Sequence, residues 1–197
     1  MASLEKVGEW FFKNRSITPI PLIILMFVLN FGRVRSPYVT YGLGLLIVLL
    51  GEFVRIWGVG VAGSITRTRK GTVRELVTSG PFAYVRNPLY LGNLLLVCGF
   101  VIFSQLFWLL PIAIVLFFVQ YIPIVKFEER ILVSNFKEEY KKYRSAVPAW
   151  LPSLRKRFPP SRHTFIFRRA IKSERNTLTT IVIILAVLLV KNLLVYR

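Results

Sequence analysis

Two short stretches of this 197-residue chain collect residue types able to hold a charged small molecule. The first, "GPFAYVRNPLYLGN" over residues 80–93, puts Tyr84, Arg86, Asn87 and Tyr90 within seven positions at the threshold of an apolar run. Pro88 disfavours helix at Asn87 and suits the first turn of a helix itself. Val85, Arg86, Asn87 and Pro88 therefore stand at a helix N-terminus. Free backbone donors, the positive helix end and a guanidinium converge there, as a carboxylate or phosphate requires. Gly92, just inside the helix, lets a ligand or another helix come close. The bland alternative is a membrane-entry turn with interfacial tyrosines and a snorkelling arginine.

The second stretch is "VKFEERILVSNFKEEYKKYRSAVPAWLP", residues 125–152. Helical spacing predicts one stripe of Glu128, Leu132, Phe136, Tyr140 and Tyr143, with Glu129 and Arg130 beside its start. Glu138 and Glu139 are answered by Lys141, Lys142 and Arg144 at helix-surface spacings. Glu128 and Glu129 are not, and adjacent carboxylates at a lipid boundary call for a positive partner. A positive corner in one stretch and a negative corner in the other suit a zwitterionic ligand.

The elements that position these stretches are apolar helices. The chain is 54% hydrophobic yet carries 27 Lys and Arg. Long apolar runs separated by basic segments are the pattern of a polytopic helical membrane protein. Candidate spans fall at about 18–31, 41–62, 89–103, 107–125 and 177–195, so the expected fold is all-α with about five transmembrane helices. Residues 1–16 read as an interfacial amphipathic helix rather than a cleaved signal. Residues 17–152 form the expected membrane core, 153–176 a basic segment, and 177–197 a last span. Only "SQL" separates the third and fourth spans, so they form a tight hairpin that sends 63–87 and 126–176 to one face. Segment 63–87 has five basic residues against one acid, and 126–176 has fourteen against five. By the positive-inside rule that face and the N-terminus are cytoplasmic, Arg33 and Arg35 outside notwithstanding. In a prokaryote the membrane would be the cytoplasmic one. A single cysteine, Cys98, and a single histidine, His163, exclude a disulfide framework and leave no metal site to expect.

"SGPFAYVRNPLYLGN", an apolar hairpin and then "EER…F…EYKKYRSAVPAWLP" resemble the isoprenylcysteine carboxyl methyltransferase and phospholipid methyltransferase superfamily over about residues 41–152. Members are integral membrane enzymes that use S-adenosylmethionine. The resemblance implies that Arg86 and Asn87 hold the carboxylate of that cofactor and that Glu128 and Glu129 take its ammonium or ribose hydroxyls. Tyr84 and Tyr90 would pack on the adenine or face the sulfonium. Many members have Arg-His-Pro where this chain has Arg86-Asn87-Pro88, and Asn cannot titrate. Methyl transfer is an in-line displacement in which positioning and desolvation do most of the work, so no catalytic base is assigned.

The acceptor should arrive from the bilayer. Glu52 and Arg55 share one face of the second span and are candidates to line its path, or else form a helix–helix ion pair. Arg144 could meet an anionic acceptor or a phospholipid headgroup. The "LRKRF" and "FRRAIKSER" clusters suit anionic lipid rather than nucleic acid. Two other classes of function compete: a nicotinamide-dependent membrane reductase of the sterol-reductase type, and a non-enzymatic scaffold that holds anionic lipid. The pair of carboxylates followed by "YxxYxxxVPxxxP" favours the methyltransferase.

Overall fold

The computed structural model describes residues 2–31, 37–63 and 75–195, and all of its regular structure is helical among those residues. Helices run over α1 (Ala2–Asn14), α2 (Ile20–Val28), α3 (Pro37–Ala62), α4 (Pro88–Phe103), α5 (Leu109–Ala146) and α6 (Phe167–Val195), with a short 3-10 turn at Gly80–Ala83 before α4. Arg33, Arg35 and the basic loop residues Arg67, Arg69, Lys70 and Arg74 lie outside the described residues.

Three helices, α3, α5 and α6, are long and apolar enough to cross a membrane, and α4 is a shorter apolar helix of 16 residues. The chain is an integral membrane protein. The first expected span is helical only over the nine residues of α2, about 14 Å at 1.5 Å per residue, which is short of the ~30 Å hydrocarbon core. Pro19 and Pro21 set its start, and its end comes at Leu29, which is extended. Between the two, Ile17 and Thr18 donate their backbone N–H groups back to the Asn14 carbonyl and so turn the chain out of α1.

The closest packing joins α3 to α4. A Cβ on Gly51 would stand 2.8 Å from the Gly92 carbonyl, and one on Gly92 would stand 2.5 Å from Arg55 Cγ. One heptad away, a Cβ on Gly99 would meet the Val48 backbone nitrogen at 2.8 Å. Lipid tails give apolar helices no hydrophobic reason to associate, so small residues that let backbones approach are what hold such a pair. Gly92 accommodates a helix.

The α4–α5 hairpin closes over 104–108. Gln105 has a φ of 65°, and Ser104, Gln105 and Leu106 are fully buried. α6 packs mainly along α3 and touches α2 and α4. Asn192 donates to the Phe103 carbonyl at the hairpin end, and Lys191 donates to the carbonyls of Met26 and Leu29. At the other end Arg169 donates to the Gly60 and Val61 carbonyls at the end of α3.

α5 departs from the straight stripe expected of Glu128, Leu132, Phe136, Tyr140 and Tyr143. Lys137 has non-helical angles (φ 44°, ψ −116°) and divides the helix into two arms. In an unbroken helix Glu129 and Tyr140 would be about 16 Å apart along the axis. Instead their side chains are hydrogen-bonded, so the second arm folds back along the first.

Gly92→Ala should destabilise the protein by about 1–3 kcal/mol through overpacking against Arg55 and Gly51. Gly42→Ala, at an exposed position of α3 with open space around it, should leave stability unchanged or slightly raised. Thermal unfolding of the two variants in one detergent checks this, and equal midpoints would show that the α3–α4 contact is not tight.

Candidate functional site

The entry to α4 is built by backbone first. Gly80 has a φ of 60°, and a Cβ there would meet Val61 Cγ2 at 2.7 Å, so both its conformation and its space require glycine. The 3-10 turn that follows ends with the backbone N–H groups of Tyr84 and Val85 both on the Pro81 carbonyl. Arg86 N then donates to Pro148 O at 2.9 Å, and Ser153 N donates to Tyr84 O at 2.8 Å. The segment after α5 is thus laid against the segment before α4, with Val85 buried between them. Asn87 is the N-cap residue of α4, and Pro88 opens its first turn. The Asn87 side chain makes no cap hydrogen bond; its Nδ2 donates to Ala149 O at 3.0 Å.

Arg86 is the centre of this junction. Its Nε and Nη2 grip Glu129 Oε1 at 3.0 and 2.9 Å. Its Nη1 donates to the Arg144 and Val147 carbonyls, 2.8 and 2.5 Å away, which are among the last carbonyls of α5. Those carbonyls have no intrahelical partner and form the negative end of the helix. One guanidinium therefore joins the α4 entry, the first arm of α5 and the end of its second arm. Both ion-pair side chains are about nine-tenths buried. Glu129 also receives Tyr140 and, at 3.5 Å, the Nε of the half-exposed Arg144. Tyr143 Oη donates to Phe82 O at 2.7 Å. These two tyrosines lie on the charged second arm of α5, beyond its apolar segment. Burial pushes both phenols above their usual range, and Glu129 raises them further while Arg86 opposes, so they act as proton-bearing donors.

Glu128 faces the other way. It is hydrogen-bonded to the Tyr90 hydroxyl, and the cation acting on it is Arg15, from the turn after α1. Arg15 itself lies 4.6 Å over the Phe12 ring. The Tyr90 ring is 4.9 Å from that of Tyr121, which stacks on Phe117 at 4.2 Å. Trp150 closes the same aromatic wall against Phe117 and Phe118. Tyr84 lies apart from it, its ring 6.3 Å from that of Trp57 on α3.

A second polar cluster is buried among the helices. Arg55 Nη2 contacts Glu174 Oε2 at 2.5 Å and Thr177 Oγ1 at 3.3 Å, both on α6, and Nη1 donates to Asn93 Oδ1. Asn93 Nδ2 donates to Tyr121 Oη at 3.1 Å. Glu52 is buried beside them, its Oε2 3.4 Å from Arg55 Nε. Asn93 and Tyr121 thus connect this cluster to the aromatic wall around Tyr90.

The phospholipid methyltransferase family model matches residues 39–139, which run from α3 into the second arm of α5. The chain belongs to that family. Among curated proteins it is 35% identical over 140 residues to the protein-S-isoprenylcysteine O-methyltransferase of Schizosaccharomyces pombe, covering 64% of this chain and 53% of that one. The Saccharomyces cerevisiae protein of the same name is 32% identical over 118 residues, covering 56% and 48%. The cobalt-zinc-cadmium resistance protein CzcN of Cupriavidus metallidurans is 33% identical over 112 residues, covering 57% and 49%. The chain spans about half the length of these curated relatives. No solved structure matches it.

The stretch of the chain that matches the phospholipid methyltransferase family contains Tyr84, Val85, Arg86, Asn87, Pro88, Tyr90, Gly92, Glu128 and Glu129. The structure divides these residues between two sides of one junction. Arg86, Asn87 and Glu129 bind each other, the end of α5 or the segment that follows it, whereas Tyr90 and Glu128 face the aromatic wall. Arg86 and Glu129 are direct partners rather than separated corners. Sequence reading passed over Arg15, Asn93, Tyr121 and Glu174 as site residues. Glu174 had a visible signal, since it is the one acid in the basic run "FRRAIKSER".

Arg86→Ala would leave Glu129 buried without its fork and two helix-end carbonyls without a donor, so it should cost about 3–5 kcal/mol. Tyr143→Phe, which removes one neutral hydrogen bond, should cost about 1–2 kcal/mol. Chemical denaturation of reconstituted protein gives both values, and a loss for Arg86→Ala no larger than that for Tyr143→Phe would contradict the clamp.

Proposed function

We propose that this chain is an integral membrane methyltransferase that uses S-adenosylmethionine and acts on a lipid-like or isoprenoid acceptor reaching it from the bilayer. The observation that carries this reading is the Arg86–Glu129 clamp. It joins the two family motifs at the boundary of the apolar helices and holds Tyr90 and Glu128 beside the N-terminus of α4.

The residues at the junction fit the cofactor. The first turn of α4 has backbone donors and a positive end suited to its carboxylate. Asn87 marks that turn, and the chain on either side is fixed by Val85, Pro88 and the backbone pairing with 148–153. Glu128 suits the ammonium or the ribose hydroxyls, and Tyr90 offers a π face to adenine or sulfonium. Arg86 has its donors committed to α5, so its role here is to set the position of Asn87 and Glu129. Tyr84 and Arg144 remain at the rim. When bound, S-adenosylmethionine supplies an electrophilic methyl group on a positively charged sulfur. The chain's own work is to orient that group, exclude water with the aromatic wall of Tyr90, Phe117, Tyr121 and Trp150, and admit the acceptor between helices. The basic faces around the junction suit anionic phospholipid headgroups and a cytoplasmic orientation.

Calorimetric titration of detergent-purified protein with S-adenosylhomocysteine should give saturable binding. Glu128→Gln should weaken it roughly 10-fold or more, as expected for loss of one charge-assisted contact. NADPH should give no heat of binding. Binding of NADPH in place of the adenosyl ligand, by protein that retains its helicity, would replace the methyltransferase with a reductase.

A further inference from the structure

The chain's single histidine stands in a second junction, between residues 75–79, which lead into the α4 entry, and residues 158–166, which lead into α6. Thr78 Oγ1 donates to Pro159 O at 2.8 Å, and Thr78 N donates to Ser161 Oγ at 3.1 Å. Ser79 Oγ donates to His163 O at 2.9 Å, and the Ser161 and Ser79 hydroxyl oxygens are 3.1 Å apart. The His163 ring lies beside them, with Nδ1 3.0 Å from Ser161 Oγ and Nε2 3.2 Å from Glu75 Oε2. Thr78 and Ser79 are buried, and the His163 side chain is 15% exposed.

The protons available to this network fix the state of the ring. A hydroxyl has one proton to give. Ser79 gives its own to a carbonyl, which only accepts, so the proton between the two serines belongs to Ser161. Ser161 then has none left for the ring, and Nδ1 must donate to it. The Glu75 carboxylate at Nε2 also only accepts. Every contact is satisfied when both ring nitrogens carry hydrogen, which makes the imidazole a cation. In a neutral ring one contact has to go. Either Nε2 turns a lone pair on Glu75, or Nδ1 turns one on Ser161 and draws that hydroxyl away from Ser79.

We propose that His163 is a proton-operated clasp: its imidazolium holds residues 158–166 against 75–79, and loss of the proton loosens both segments. Among the described residues Glu75 is the acid against the ring. The nearby cations are the exposed Arg162 and, on α6, Arg169, which donates to the Thr164 carbonyl at 3.3 Å; residues 76–79 are neutral. Position gives the clasp its reach. Residues 75–79 run directly into Gly80 and the 3-10 turn. The chain before 158 holds the same entry from its other side, through Pro148 O on Arg86, Ala149 O on Asn87 and Ser153 N on Tyr84. Between the two, the Phe158 ring is 5.4 Å from that of Tyr143, whose hydroxyl binds Phe82 O. The proton on His163 therefore bears on the layer that frames the α4 entry. Ser161 and His163 lie outside the stretch that matches the family, so the clasp is completed by this chain's own C-terminal segment. The inference goes beyond the proposed function and does not depend on which ligand the entry binds.

Amide hydrogen exchange of the full chain in nanodiscs, without ligand, reads the clasp at about pH 5.5 and about pH 8, the two ends of the range in which histidine side chains change charge. With each rate corrected for its intrinsic pH dependence, peptides covering 75–79 and 158–166 should exchange roughly 10-fold faster at the higher pH, the effect of one hydrogen bond to a charged group. The apolar arm of α5 should not change. Two variants separate the clasp from a merely structural contact. Glu75→Gln places at Nε2 an amide that donates to a neutral ring and accepts from a charged one, so both segments should stay protected at both pH values. His163→Gln has one amide donor group and cannot donate toward both Ser161 and Glu75, so both segments should exchange fast throughout. Because the chain has one histidine, the imidazole 15N resonances report its protonation directly, and the change in exchange should follow them. Exchange indifferent to pH in the unaltered protein, a pH effect that survives Glu75→Gln, or an imidazole that titrates while the two segments stay unchanged would each overturn the inference.

Discussion

The contact between Arg86 and Glu129 determines how the rest of the junction is arranged. A guanidinium has five donors in a fixed plane, and here they reach one carboxylate and two carbonyls on different arms of α5. Lysine, a point charge with no fork, could not hold all three in one orientation. Because the arms are fixed to the α4 entry, Glu128 is held with Tyr90, and Asn87 with the segment that follows α5. Burial makes the arrangement specific: with both charges nearly out of water, any geometry that separated them would leave one unpaired.

The second constraint is the close approach of α3 to α4. Glycines at the contact bring the two backbones together, and Arg55 fits over Gly92 where a side chain would otherwise stand. That brings Arg55 within reach of Asn93 on one side and Glu174 on the other. Polar side chains among apolar helices are costly unless they bind each other, so the cluster both holds α6 to the bundle and concentrates charge at one depth.

Much of this was legible before any coordinates. The apolar runs show an all-helical membrane chain, Pro88 marks the start of α4, and the short "SQL" connection implies the hairpin that brings Arg86 and Glu129 to one face. The reversal at Lys137 was not legible. "NFKEEYKKY" has no glycine or proline and reads as continuous helix, so Tyr140 and Arg144 were expected well beyond Glu129. Tertiary contacts, chiefly Tyr140 on Glu129 and Tyr143 on Phe82, override that local pattern. The nine-residue α2 likewise follows from two prolines whose effect on an apolar run is only clear once its neighbours are in place. Glu52 and Arg55 were visible as a pair on one helix face, but the partners from α4, α5 and α6 depend on how four helices pack, which spacing along one chain does not encode.

The central claim is that the methyl donor binds where the α4 entry meets α5. Hydrogen–deuterium exchange of the protein in nanodiscs, with and without S-adenosylhomocysteine, tests that location most directly. The account predicts slower exchange together in the peptides covering 80–93 and 126–150, with the hairpin at 104–108 unchanged. Protection confined to other segments, or none at a saturating concentration of ligand, would contradict it.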